Sequence, residues 1–92
     1  MKIESKFAGM HKGFLARKHS KMYVELLNKG ELNDYLDKIG LQAKELMETI
    51  IDQNKAEIEK IEDPEKRLAR LGQIELMAEE IAVHDIVFAP LA

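Results

Sequence analysis

The chain has 92 residues, a formal net charge of −3, 34% charged residues, two prolines and no cysteine. A chain of that length makes one domain with a thin core, and the lack of cysteine excludes disulfide staples and thiolate metal sites. Dense charge with little proline favours helices over sheet. No apolar run approaches the roughly 18 residues of a membrane span. The opening MKIESKFAGMHKG lacks the apolar centre of a signal peptide. The expectation is a soluble, cytoplasmic protein with no membrane contact.

Charge is unevenly spread. Residues 1–30 carry seven Lys/Arg against Glu4 and Glu25, a balance of +5, and residues 31–92 carry seven against fifteen acids, a balance of −8. A basic head on an acidic body suits either nucleic acid or electrostatic pairing between the two parts.

Along the chain, residues 1–12 give weak signals and read as poorly ordered or irregular, as termini often are. A first helix is predicted over 13–29, with Leu15, His19, Met22 and Leu26 at helical spacing and Phe14, Tyr23 and Leu27 beside them. Asn28-Lys29-Gly30 ends it, because glycine accepts the left-handed conformation that closes a helix. A second helix is predicted over 31–62. Its stripe reads Leu32, Leu36, Ile39, Ala43, Leu46 and Ile50, then slips by one position to Met47, Ile51, Ile58 and Ile61, with Asn54 as a polar gap. About 30 residues at 1.5 Å each would make a rod of roughly 45 Å. Gly40 lies inside it, and the expected reason is close approach of another helix. Asp63-Pro64 then reads as an N-cap followed by proline at the first helical position.

A third helix is predicted over 64–88, with a stripe of Leu68, Leu71, Ile74, Ala78 and Ile81. Beyond Ile81 the residues Ala82, Val83, Ile86, Val87 and Phe88 put apolar groups on nearly every side. A helix apolar all round is buried all round. In so short a chain that points to a second copy, with Val83, Ile86, Val87 and Phe88 as the self-association residues. The expected architecture is all-α: a three-helix antiparallel arrangement around a long central helix, forming an oligomeric helical bundle.

The chemistry-bearing residues do not compose a catalytic constellation. The histidines are His11, His19 and His84, with no nucleophile elbow and no phosphate-binding glycine loop. Glu80 and His84 stand four apart and could share a helix face. The dinuclear carboxylate bundles need Glu-x-x-His on two helices with further glutamates, and Glu45 and Glu48 do not supply that pattern. The reading is a non-enzymatic protein with no catalytic residue, metal, cofactor or small-molecule substrate. Lys12, Arg17, Lys18 and Lys21, in one basic region with Lys29, His11 and His19, are the candidate nucleic-acid contacts, since cations on a helix can meet phosphates. The acids Glu57, Glu59, Glu62, Asp63 and Glu65 form a face that could cover a basic surface.

Three blocks in register carry a family resemblance. The first is Met22-Tyr23, Leu26-Leu27, Gly30-Glu31-Leu32-Asn33 and Tyr35-Leu36; the second is Ile39, Gln42-Ala43 and Glu45; the third is Ala78-Glu79-Glu80-Ile81 with Asp85-Ile86-Val87-Phe88. Over residues 13–88 the chain resembles the TnpV-type family of transposon-encoded proteins. The resemblance implies carriage on a mobile element and implies no activity or site residue. The leading expectation is an accessory or regulatory protein of such an element that works through protein–protein contacts as a homo-oligomer. The alternatives are a DNA-binding regulator using the basic first helix and an anti-defence inhibitor of a host nucleic-acid enzyme.

Overall fold

The computed structural model describes residues 2–89; Pro90, expected to end the last helix, lies outside them. The chain runs through five α-helices and a π-helical turn: α1 (Ile3–Lys18), α2 (Ser20–Lys29), α3 (Leu32–Gln53), α4 (Lys55–Glu59), α5 (Pro64–Ala82) and the π turn Val83–Val87. The all-α expectation holds among the described residues. Each of the three expected rods is interrupted or extended, and each change has a local cause.

Residues 3–12 are helical, not irregular. Phe7, His11 and Leu15 follow one another at four-residue steps and are fully buried. Their helical signal is blurred because α1 has neighbours on two sides, α3 on one and the π turn on the other. Apolar residues therefore occupy a wide arc rather than a clean stripe. The helix expected over 13–29 breaks at His19, whose φ of −138° and ψ of 51° leave the helical region. The His19 ring packs edge-on against Phe14, 5.4 Å between centroids.

Gly30 closes α2 with φ of +71°, and the amides of Gly30 and Glu31 both turn back to the last turn, to Leu27 and Leu26 carbonyls at 3.1 and 3.0 Å. This is a left-handed cap, and it lets α3 start two residues later. The 31–62 rod is two helices. At Asn54 the side-chain amide donates to the Ile50 carbonyl at 2.8 Å, competing with the backbone ladder as asparagine often does. The polar gap in the stripe marks this break. After α4, the carbonyl of Ile61 accepts from Nε and Nη2 of Arg67 at 2.9 and 2.6 Å. Asp63 caps α5, its carboxylate accepting from the Glu65 amide at 2.9 Å, with Pro64 in the first turn.

Both α1 and α5 lie antiparallel to α3 and so run parallel to each other. Leu15 packs on Leu32 and Leu36 at one end of α1. Phe7 packs on Ala43, Ala82 and Val87 at the other. The tightest approach is at Gly40, where a Cβ would overlap the carbonyl oxygen of Glu4 and sit 3.4 Å from the Ala8 methyl. The close helix that Gly40 admits is thus α1. Lys6 pairs with Glu79, and Lys44 lies 3.8 Å from Glu4 and from Glu48; exposed pairs of this kind contribute little. The body measures 54 × 21 × 17 Å. Among the described residues no helix is long and apolar enough to cross a membrane.

Candidate functional site

The structure uses the apolar C-terminal segment inside the chain. Val87 is fully buried in the cluster with Phe7, Ala43 and Ala82, and Val83 and Ile86 pack against that cluster. Phe88 stays 40% exposed and meets Phe14 edge-to-face, with centroids 5.5 Å apart. The partner that the all-round apolar pattern demands is therefore α1 of the same chain. Reading residues 1–12 as irregular is what leaves Val83, Ile86 and Val87 without a cover and assigns them to a second copy.

The most constrained polar group is His11, fully buried. Its Nδ1 lies 2.7 Å from the Val87 carbonyl oxygen and its Nε2 lies 2.9 Å from the Tyr35 hydroxyl. A carbonyl only accepts, so Nδ1 carries the proton. In the neutral ring Nε2 is then an acceptor, and Tyr35 O–H donates to it. One imidazole thereby joins α1, α3 and the carbonyl end of the π turn. That carbonyl end is where a helix leaves acceptors unpaired. The His11 ring also lies 5.8 Å from Phe14 and 5.5 Å from Tyr35. Burial raises the pKa of Tyr35 above the ordinary 10.0. With both ring nitrogens paired and no solvent access, this histidine is a structural tie. Sequence reading groups His11 with the basic residues; the signal that locates it is the four-residue step Phe7, His11, Leu15.

The basic residues are distributed differently. Lys12, Arg17, Lys18 and Lys21 are all exposed. At 100° per residue, Arg17 and Lys18 project about 140° and 240° around α1 from Lys12, so the three fan out instead of forming one stripe. Lys21 follows the His19 break on α2. Arg17 also folds back towards Gly13, with Nη1 3.2 Å from where a Cβ would stand there. His84 engages Asp85 rather than Glu80, Nδ1 donating to Oδ1 at 2.7 Å. Among the described residues no group of three or more His, Asp or Glu gathers as a metal site.

Exposed apolar side chains lie elsewhere, most of them on α2 and α5, with Leu41 on α3. Val24 and Leu27 on α2 are 49% and 53% exposed, and Leu68 and Leu76 on α5 are 71% and 60% exposed. At the far end of α3 an open cleft of about 450 Å³ has a floor of Ile51, Ile58 and Leu71, with Glu48, Asp52 and Glu59 at its edges beside Lys55.

The family model described as "Transposon-encoded protein TnpV" matches residues 3–87. The chain belongs to the TnpV family. The match begins at the first residue of α1 and ends at Val87, whose carbonyl is held by His11. It thus reaches ten residues further towards the N-terminus than the resemblance read over 13–88, and it spans the whole α1–α3–π turn assembly. No curated protein and no solved structure matches the chain. This TnpV protein is therefore transposon-associated, and it is all-α over its described residues.

Proposed function

We propose that this TnpV protein is a non-enzymatic, cytoplasmic accessory or regulatory protein of its mobile element, acting through protein–protein contacts and associating with itself. The observation that carries the reading is the set of large apolar side chains on outer helix faces: Val24 and Leu27 on α2, and Leu68, Leu76 and Met77 on α5. Grouped exposed apolar residues mark contact surfaces on soluble proteins, and a narrow 54 × 21 × 17 Å body offers long faces for such contact. Light scattering and sedimentation equilibrium test the reading: the mean mass rises with concentration, and a mass fixed at the monomer up to the millimolar range refutes self-association.

A second reading, contact with duplex nucleic acid, draws on the exposure of Lys12, Arg17, Lys18 and Lys21. Phosphate contacts make binding steeply salt-dependent. Retardation of a duplex at low salt that is lost when Arg17, Lys18 and Lys21 become alanine supports it, and no retardation at low salt refutes it.

A further inference from the structure

The two apolar surfaces sit at opposite ends of the molecule and differ in charge. At the N-terminal end of α3, the outer face of α2 presents Val24 and Leu27, both about half exposed, next to exposed Lys21. Lys29 is the last residue of that helix and Lys18 the last of α1 before it, and Glu25 is the one acid of α2. At the C-terminal end of α3, the cleft over Ile51, Ile58 and Leu71 is edged by Glu48, Asp52 and Glu59, with Lys55 the one cation among its lining residues. The neighbouring surface, from Glu45 to Asp52, adds a further acid.

We propose that these two surfaces bind each other between copies, α2 of one molecule lying in the α3–α4–α5 cleft of the next. The inference rests on the self-association reading above and specifies its geometry. Three physical points select it. First, the surfaces cannot meet within one chain: α2 packs near the start of α3, and the 22 residues of α3 hold the cleft roughly 33 Å away at 1.5 Å per residue. Second, a twofold pairing of like with like sets acids against acids at the cleft or lysines against lysines at α2, which is repulsive. Head-to-tail pairing sets Lys21, about 60° around α2 from Val24, against the acidic edges and puts Val24 and Leu27 over the apolar floor. Third, a head-to-tail contact leaves one free head and one free cleft on every open assembly, so it propagates as a series or closes as a ring, the smallest being a pair joined by both contacts.

The test uses the full chain and two variants, each altered at exposed positions. Val24→Ser with Leu27→Ser removes the apolar anchors of the head. Glu48→Lys with Asp52→Lys reverses the cleft edge. Far-UV circular dichroism and thermal melts confirm that both fold. The wild type is expected to show a mass that grows with concentration and shrinks as salt rises, since the contact between exposed charges is screened. Each variant alone is expected to lose association by about tenfold or more, the usual consequence of truncating central contact residues. An equimolar mixture of the two retains one intact head and one intact cleft, so it is expected to form a 1:1 dimer that grows no further. A mixture that stays monomeric, or variants that associate as the wild type does, overturns the head-to-tail geometry while leaving self-association standing. A wild type that is monomeric throughout overturns both readings.

Discussion

Two glycines inside helices should respond to alanine with opposite signs. Alanine gains about 1 kcal/mol over glycine in a helix interior from backbone entropy alone. At Gly72 in α5 a Cβ meets nothing within 4 Å, so Gly72→Ala should keep that gain. At Gly40 the new methyl overlaps the Glu4 carbonyl oxygen of α1 and lies 3.1 Å from the carbonyl carbon. Those are backbone atoms, and they cannot rotate away. The helix α1 must move off α3, and a gap of about 0.5–1 Å forfeits a quarter to a half of the dispersion energy across the contact. Overpacking of this kind costs typically about 1–3 kcal/mol. Taking the upper part of that range and subtracting the gain in propensity leaves Gly40→Ala about 2 kcal/mol less stable. For a chain of this size 1 kcal/mol moves the melting temperature by about 4–8 °C. Gly40→Ala should therefore melt about 8–16 °C lower and Gly72→Ala about 4–8 °C higher. The assay is a far-UV circular dichroism melt at one fixed, low protein concentration, because association raises apparent stability. A Gly40→Ala protein as stable as Gly72→Ala would refute the close α1–α3 crossing.

The His11 tie gives two further tests. His11→Leu leaves the buried Val87 carbonyl and the partly buried Tyr35 hydroxyl without their partner, at about 1–3 kcal/mol for a buried group left unpaired; hydrogen exchange should show the amide of Phe88, bonded to the Val83 carbonyl at 2.8 Å, losing protection before the middle of α3. Equal protection in the variant would show that the π turn does not depend on the imidazole. Tyr35 has a raised pKa through burial, so its neutral form is the one the fold favours. Its contribution is intact below the unfolded value near 10 and is lost as pH rises through the higher folded value. Denaturant midpoints should fall above about pH 10, and Tyr35→Phe should remove that part of the fall while costing about 0.5–1.5 kcal/mol at neutral pH. A fall of unchanged size in Tyr35→Phe would assign it to other groups. Asp63→Ala removes the carboxylate that caps α5 and should cost about 0.5–2 kcal/mol, read as a lower urea midpoint with an unchanged slope.

What the sequence determined by itself was what short-range forces decide. Gly30 sets the left-handed stop of α2, Asp63-Pro64 sets the start of α5, and Leu32, Leu36 and Ala43 set the buried side of α3. Each depends on groups within a few residues, so the pattern is complete in the local string. The helical class, the uneven charge and the family follow from the same kind of information. Tertiary structure alone decided what lies against α1 and the C-terminal segment. α1 carries apolar residues over a wide arc, and that arc makes sense only once α3 and the π turn are seen on its two sides. The same neighbours bury Val87 fully and cover Val83 and Ile86 in part. They also turn His11 from a member of a basic patch into a fully buried link, with partners 24 and 76 residues away in sequence. No local rule reports a hydrogen bond of that span. Its existence depends on three helices arriving together, which is a property of the packed chain.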